Sequence, residues 1–296
     1  MTEREATTET FEHSRAHLRA VAYRMLGSIS EAEDAVQEAW LKLSRTDASG
    51  ILSLRAWLTT VVARVCLDML RSRKSRHEEE LVAHVPDPII TREDGPTPET
   101  ELLLADSVGL ALIVVLDTLA PPERLAFVLH DMFGMPFEEI APIVGSTLAA
   151  TRQLASRARR RVQGGAPVPD VDLPRQREVV DAFMAASRKG DFAALLAVLD
   201  PDVVLRGDRG PDTPMTRVVR GAEAVIKGVM AGAKFASAKR IEQPAVVNGA
   251  AGVVVFVDGK PFSVLGFTVV RGKIVEINVL ADPERLAKLD VSVLVD

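Results

Sequence analysis

The chain of 296 residues is predicted to contain two all-α domains followed by an α+β domain. Through most of residues 14–162, apolar side chains recur at three- and four-residue spacing, the period of helices that bury one face. After residue 199, short runs rich in β-branched residues alternate with turn dipeptides, as in antiparallel strands. Proline-rich stretches at residues 84–98 and 163–174 separate three blocks, because proline interrupts both helices and strands.

The first block is predicted to hold three helices. The first helix has an apolar stripe at Leu18, Val21, Ala22, Met25 and Leu26. Ser30 followed by Glu33 is a capping box, which predicts the start of the second helix. The buried side of that helix is expected at Ala32, Ala35, Val36, Ala39, Trp40 and Leu43. The third helix is expected over residues 54–73, after a polar loop at 44–53.

The second block ends in a helix-turn-helix pattern. Pro121 and Pro122 introduce a helix over residues 123–133, and a short helix over 137–144 ends at Gly145. Residues 147–162 then form an amphipathic helix, which Ser146 or Thr147 would cap. Its five arginines are Arg152, Arg157, Arg159, Arg160 and Arg161. A short helix, a tight turn and a basic helix favour DNA binding over a solvated helix surface.

The third block is predicted to pack helices on a curved antiparallel sheet. Helices are expected over residues 175–189, 192–199 and 223–230. The strands are expected at 203–206, 217–219, 245–247, 253–257, 263–270 and 274–280, with turns at Asp258-Gly259 and Arg271-Gly272. Two or three helices against one sheet give an α+β domain.

Composition narrows the class of protein. No apolar run reaches membrane-spanning length, and the polar, acidic N-terminus is unlike a signal peptide. Cys66 is the single cysteine, so neither a disulfide nor a cysteine metal site is expected, and no cofactor is predicted. A reducing cytoplasm is the expected compartment. The net charge is −5, yet bases concentrate at residues 71–76 and 152–161. These two basic segments suggest two DNA contacts, and the acidic background around them suggests at least one basic protein partner.

Two segments of the chain resemble a family of transcription factors. Residues 22–43, which read AYRMLGSISEAEDAVQEAWLKL, and residues 55–76 resemble region two of the extracytoplasmic-function (ECF) sigma factors. Residues 119–162 resemble region four of the same family, and the tail resembles the SnoaL-like, nuclear-transport-factor-like cone fold. The resemblance implies region two at 1–83, a linker at 84–105, region four at 106–163, a hinge at 164–174 and a SnoaL-like domain at 175–296.

The resemblance also implies function and partners. We expect a non-enzymatic, monomeric initiation factor. It is expected to bind the β′ and β subunits of core RNA polymerase, the −10 and −35 promoter elements, and its own tail in cis. The residues implied to bind polymerase are Asp34, Gln37 and Glu38. Those implied to bind DNA are Arg64, Arg71, Arg73, Lys74, Arg76, Thr147, Arg152, Gln153, Ser156 and Arg157. The loop at 44–53 is expected to capture a flipped base, whereas Trp40 and Trp57 are expected in the core.

The tail admits a catalytic and a regulatory interpretation. Asp208, Asp212, Asp258 and Glu276 are candidate acid/base carboxylates, but the tail contains no histidine, tyrosine or cysteine. Regulation is therefore favoured. Of three short motifs that the resemblance implies, one is matched loosely at residues 84–88, one conservatively at 282–286 and one poorly at 208–213. The implied interdomain residues are Pro86, Asp87, Pro88, Asp208, Asp282, Pro283, Glu284, Arg285 and Leu286. The alternatives are a helix-turn-helix regulator with a ligand-binding tail, and a SnoaL-like enzyme fused to a DNA-binding module.

Overall fold

The computed structural model describes residues 3–47, 50–76, 84–92, 109–165, 167–210, 217–233 and 240–294. The chain divides into two compact units. The N-terminal unit comprises residues 1–78, 101–106 and 115–165, and the C-terminal unit comprises 79–100, 107–114 and 166–296. Among the described residues, no helix is both long enough and apolar enough to cross a membrane.

The N-terminal unit begins with three helices, as predicted: α1 (Glu3–Leu26), α2 (Ile29–Leu43) and α3 (Leu54–Arg76). The predicted stripe of α1 is buried, and so are the predicted core positions of α2 except the half-buried Trp40. The predicted cap of α2 was wrong, since Ser28 has the extended backbone and accepts from the Glu31 amide at 3.5 Å. Gly27 ends α1 in the left-handed conformation, at φ 70°, and α2 begins at Ile29, one residue before Ser30.

The rest of this unit is helical too. A helix, α4 (Leu110–Asp117), crosses the boundary between the units. Then come α5 (Pro121–Phe127), a π-helical turn at Val128–Met132, α6 (Phe137–Val144) and α7 (Leu148–Gly165). Between α6 and α7, Gly145 adopts the left-handed conformation at φ 74°, which a residue without Cβ does at no steric cost. The predicted helix-turn-helix is therefore present.

His17 of α1 contacts α3 and Phe133, the residue that follows the π-helical turn after α5. Its ring lies edge-on to Phe133 with centroids 5.3 Å apart, and its Nε2 lies 3.3 Å from the Thr59 hydroxyl. Burial, with the positive charges of Arg55 and Arg24, lowers the pKa of His17 to about 4. A proton on this ring is therefore disfavoured in the folded protein.

We expect His17 to make folding stability depend on pH. Because its folded pKa is about 4 and its ordinary value 6.5, the unfolded chain binds the extra proton between those values. The free energy of unfolding should hence be full above pH 6.5 and fall as the pH drops toward 4. Urea titrations at pH 7, 5.5 and 4.5 should show a smaller fall for His17→Gln than for wild type. His13→Gln, exposed on the same helix, is the control, and equal slopes for wild type and His17→Gln would contradict this expectation.

The C-terminal unit packs helices against one seven-stranded sheet. Its helices are α8 (Leu173–Lys189), α9 (Phe192–Val198), α10 (Ala222–Ala233) and the short α11 (Pro283–Leu286), before a 3-10 turn at Ser292–Leu294. Its strands are β1 (Ile90–Thr91), β2 (Leu199–Asp208), β3 (Arg217–Arg220), β4 (Arg240–Val247), β5 (Ala250–Val257), β6 (Lys260–Val270) and β7 (Lys273–Leu280). The spatial order is β1-β4-β5-β6-β7-β2-β3.

The sheet differs from the predicted one in two respects. It is mixed, because β2 pairs in parallel with β7, whereas the other neighbours are antiparallel. In addition, β1 comes from the linker and was not predicted as a strand. A period-two pattern shows which residues share a face but does not specify the direction of a partner strand. The turns at Asp258-Gly259 and Arg271-Gly272 are confirmed, with positive φ at all four residues.

One face of this sheet forms an apolar core with the helices. Its side chains come from alternate positions of the strands and from α8, α9 and α10. The buried members include Phe183, Leu195, Val203, Ile226, Val253, Val255, Phe267, Val269 and Ile277. Phe183 and Phe267 meet edge to face with centroids 5.5 Å apart. The polar residues of β2 and β7, such as Arg206, Glu276 and Asn278, occupy the intervening positions and so point to the opposite face.

Candidate nucleic-acid interface and linker cluster

The second helix of the helix-turn-helix, α7, exposes a polar face. Thr147 caps the helix, because its hydroxyl accepts from the Ala150 amide at 3.2 Å. Thr151, Ala155 and Ala158 are buried and fix the rotation of the helix about its axis. The predicted DNA-binding residues Arg152, Gln153, Ser156 and Arg157 are exposed. An exposed polar face that starts at the N-terminus of the second helix is what major-groove readout needs.

Acidic side chains pair with the arginines of α7 to different degrees. The nearly buried Glu123 of α5 accepts from Arg157 Nε at 2.7 Å and from Arg161 Nη1 at 3.2 Å. By contrast, Arg152 meets Glu138 at 3.4 Å, and both of these side chains are more than half exposed. An exposed pair contributes little, whereas a buried carboxylate needs its cation. Arg152 is therefore freer to leave its partner than Arg157 is.

The outer side of α2 carries the predicted polymerase-binding residues. Asp34, Gln37 and Glu38 are all exposed, opposite the buried stripe of the helix. Glu38 has a loose partner one turn along, with Lys42 Nζ 3.8 Å from its carboxylate. Their spacing places the three on one side of the helix, available for a basic or hydrogen-bonding partner.

The predicted basic row on α3 is split by the structure. Arg64 and Arg71 are exposed, and Arg71 makes a loose pair with Asp68 at 3.7 Å. Arg73 instead turns back to Glu31 and to the Leu26 carbonyl, where it joins the ends of α1 and α2. Lys74 and Arg76 belong to α3, but their side chains lie outside the described residues.

The two tryptophans of this unit are half-buried. Trp40 packs on Phe11 with centroids 4.8 Å apart, and Trp57 lies on α3. Packing of this kind gives Trp40 a structural role in this unit.

Linker residues 84–92 form part of the C-terminal unit. From Val85 to Thr91 every residue is buried, including Pro86 and Pro88. Ile89 exchanges two hydrogen bonds with Asn248, donating to Oδ1 at 3.0 Å and accepting from the backbone amide at 2.8 Å. Beyond this point, Ile90 and Thr91 pair with Val247 and Val246 of β4. The prolines suit this extended strip, since they lack an N–H that burial would leave unpaired.

At the start of the strip lies a cluster centred on Arg285, which we call the Arg285 cluster: His84, Val85, Asp87, Asp208 and Arg285. The guanidinium donates to Asp87 Oδ1 at 2.8 Å, to Asp208 Oδ2 at 2.8 Å and to the Val85 carbonyl at 2.6 Å. The Val85 amide in turn donates to Asp208 Oδ2 at 3.0 Å. One cation thus joins residues about 77 and 200 positions away along the chain.

Local sequence fixes Arg285 in this position. Asp282 caps α11 and accepts from the Glu284 and Arg285 amides at 2.9 and 3.4 Å, and Pro283 occupies the first turn. Leu286 is buried, which anchors the turn, while Glu284 points to solvent. The Asp-Pro-Glu-Arg-Leu run thereby directs Arg285 toward the linker.

Asp208 is ionised throughout the physiological range. Its burial alone would raise the pKa, but hydrogen bonds from His84, Val85 and Gly210 and the charge of Arg285 outweigh burial and lower the pKa to about 2. Both carboxylates of the cluster have less than a tenth of their side chain exposed. Arg285 neutralises both, so the cluster depends on this residue.

The three candidate carboxylates of the tail that the structure describes have structural partners or positions. Asp208 belongs to the Arg285 cluster, and Asp258 occupies a hairpin turn at φ 51°. Glu276 lies on β7, where it pairs with Arg206 at 2.7 Å and accepts from Asn278 at 2.8 Å. Asp212 lies outside the described residues.

Sequence reasoning included His84 and Val85 only as part of a loosely matched family motif, and it missed Asn248, which binds the linker at Ile89. The Asn-Gly pair at 248–249, between two apolar runs, could have identified the β4–β5 turn, because Asn and Gly favour positive φ. The contacts of His84 and Val85 involve residues more than a hundred positions away and have no local pattern.

Comparisons with known proteins agree with this architecture. Residues 10–76 match the family model of sigma-70 region 2, and residues 109–162 match that of sigma-70 region 4. The chain is 43% identical over 222 residues to the ECF RNA polymerase sigma factor SigJ of Mycobacterium tuberculosis. The aligned region covers 74% of this chain and 71% of the relative. It is 36% identical to the probable ECF sigma factor SigI of the same species, over 98% of both chains.

A solved structure extends the likeness to the whole chain. The crystal structure of M. tuberculosis SigJ matches with a TM-score of 0.76 and 37% identity, over 96% of this chain and 99% of the other. Region two and residues 115–162 of region four lie in the N-terminal unit. The mixed sheet of the C-terminal unit resembles that of SnoaL-like, nuclear-transport-factor-like folds. The chain belongs to the ECF sigma factors, non-enzymatic proteins that bind core RNA polymerase and direct promoter-specific initiation of transcription.

Proposed function

We propose that this sigma factor uses the exposed α2 face to bind the β′ subunit of core polymerase and the exposed α7 face to read the −35 element. Region four would also contact the β subunit, and Arg64 and Arg71 on α3 would track phosphates near the −10 element. The observation that carries the proposal is the separation of charge: the acidic residues of α2 and the arginines of α7 lie on different helices, each opposite a buried stripe. A factor that acts at chromosomal promoters would function in the cytoplasm. We expect it to bind polymerase as a monomer.

In vitro transcription with purified core polymerase tests this function. We expect specific transcripts from a target promoter selected by binding, and none from core polymerase alone. Binding to DNA without stimulated initiation would instead favour a helix-turn-helix regulator. Turnover of a small molecule would favour an enzyme fused to a DNA-binding module.

We expect Arg152→Ala and Arg157→Ala to weaken promoter binding by different mechanisms. Arg152 has a loose, exposed partner and is available to a base, so its loss should relax preference at one base pair of the −35 element at about 1–3 kcal/mol. Arg157 makes the shorter of the two arginine contacts to the buried Glu123, the other coming from Arg161. Its loss should therefore lower the melting temperature of region four and weaken all sequences alike.

Gel shifts on promoter variants, together with thermal melts, separate the two mechanisms. Arg160→Ala, exposed on the same helix, is the control for loss of general positive charge. A uniform loss of affinity with Arg152→Ala, or altered base preference with Arg157→Ala at unchanged melting temperature, would contradict the assignment.

We further propose that the tail regulates the sigma regions in cis by holding the linker between them. The linker strip is fixed to the tail by β1 and by the Arg285 cluster. Because residues 84–92 are part of the chain that connects region two to region four, docking them on the tail limits the arrangements open to both. A tethered contact of this kind acts at high effective concentration and so requires little intrinsic affinity.

A further inference from the structure

Three side chains of region four form a stack where α6 begins. The imidazole of His130 lies on the ring of Phe137, with centroids 3.8 Å apart and planes inclined by 28°. The guanidinium carbon of Arg152 on α7 lies 6.0 Å from the centre of the same ring, a distance at which a cation is attracted by an aromatic face. The stack therefore connects the turn before α6 to an exposed arginine of α7.

The turn before α6 fixes the position of the Phe137 ring. His130 Nδ1 donates to the Met135 carbonyl at 3.0 Å, and Gly134 between them has φ 67°, a conformation that closes the turn. Phe137 is the first residue of α6, and the buried Ile140 anchors the same helix one turn later. The half-buried ring is therefore held at the surface by His130 and by its own helix.

Glu138, the next residue of α6, contacts the same guanidinium. Its Oε1 lies 3.4 Å from Arg152 Nη2, and both side chains are more than half exposed. An exposed pair adds little to stability, but it favours one orientation of the arginine. Because a guanidinium has several N–H donors in a planar fork, the donors that do not face Glu138 remain for O6 and N7 of a guanine. The carboxylate thus orients Arg152 and leaves it able to bind a base.

The orientation of Arg152 matters because its side chain is long and exposed. An unrestrained arginine loses rotamer freedom when it binds a base, and that loss weakens the contact. The buried Thr151 and Ala155 already fix the rotation of α7, so the freedom that remains is in the Arg152 side chain. A ring and a carboxylate that restrict this side chain before DNA binds make its contact to one base pair more selective.

We propose that Phe137 and Glu138 are positioning residues for readout of the −35 element, acting through Arg152. The inference rests on the proposed base contact of Arg152 and extends sequence selectivity to two residues of the first helix of the helix-turn-helix. Neither residue has to touch a base. The negative charge of Glu138 also repels phosphates, so Glu138 lowers affinity for any DNA while it raises selectivity.

Selection of promoter DNA by the holoenzyme tests this role. Core polymerase assembled with the full chain would be offered promoters randomised across the −35 element, and sequencing of the bound fraction gives the base preference. The base pair read by Arg152 is the one whose preference Arg152→Ala abolishes. At that pair, Phe137→Leu and Glu138→Gln should each lower the preference by about threefold or more, whereas Phe137→Tyr keeps an aromatic face and should retain it.

Two further measurements separate positioning from stability. In an Arg152→Ala background, Phe137→Leu should have no further effect on base preference, because the residue that it positions is gone. Glu138→Gln should bind nonpromoter DNA at least as tightly as wild type, whereas a damaged fold would bind it more weakly. Glu139→Gln, at the next exposed carboxylate of α6, is the matched control and should keep the wild-type preference.

Wild-type preference in both Phe137→Leu and Glu138→Gln, with an altered preference in Arg152→Ala, would overturn the positioning role and leave the base contact standing. Wild-type preference in Arg152→Ala would overturn the base contact and the inference with it. If Phe137→Leu melts below the assay temperature, Glu138→Gln and its double variant with Arg152→Ala decide the question, because Glu138 is exposed.

Discussion

Arg285→Ala is expected to lower the free energy of unfolding of the C-terminal unit by about 3–5 kcal/mol, because it leaves Asp87 and Asp208 as buried charges without their cation. The linker residues 84–92 should then detach first, since the guanidinium also holds the Val85 carbonyl. Hydrogen exchange of this segment, together with urea unfolding, measures both effects. Transcription should change as well if the docked linker restrains the sigma regions.

A matched control for this variant is Arg188→Ala. Arg188 also pairs with a carboxylate, that of Glu242, but its side chain is 59% exposed, so the loss should stay below about 1 kcal/mol. Arg285→Lys should restore part of the stability, as a point charge without the forked geometry. Wild-type protection of residues 84–92 in Arg285→Ala would refute the role of the cluster.

The acidity of the cluster gives a further check on its charge state. Because the pKa of Asp208 is lowered to about 2, its contribution to stability is present above pH 4 and is lost as the pH falls toward 2. Asp208→Asn should remove that part of the acid sensitivity while keeping the shape of the side chain.

Asp34→Ala combined with Glu38→Ala is expected to weaken binding to core polymerase by at least about tenfold. Each side chain would lose a charge-assisted contact of about 1–3 kcal/mol, and the fold should persist because both are exposed. A pull-down or biolayer titration against the β′ coiled coil measures the affinity. Glu178→Ala with Asp181→Ala, an exposed acidic pair on α8, is the control for loss of negative charge. Equal affinities for wild type and the α2 variant would place the polymerase contact elsewhere.

Local sequence determined the elements of this protein to a large degree. The period of apolar residues predicted the helices and the exposed face of α2, and the Gly-Ser-Thr turn predicted the helix-turn-helix. The Asp-Gly and Arg-Gly dipeptides predicted two hairpins. Each of these features depends on residues a few positions apart, whose propensities and sterics act without knowledge of the rest of the chain.

Tertiary structure decided which of those residues meet. The linker was predicted as a separate segment, yet its Ile90 and Thr91 extend the sheet of the tail. Arg73, which was implied as a DNA contact, joins α1 to α2, and Arg157, which was also implied as one, pairs with Glu123. Long, charged side chains reach many partners from one backbone position, so only the packed fold selects the carboxylate or carbonyl that each arginine binds. The sequence by itself thus specified the class of the protein and its helices and strands, and burial of charge at long range decided the partners of its arginines.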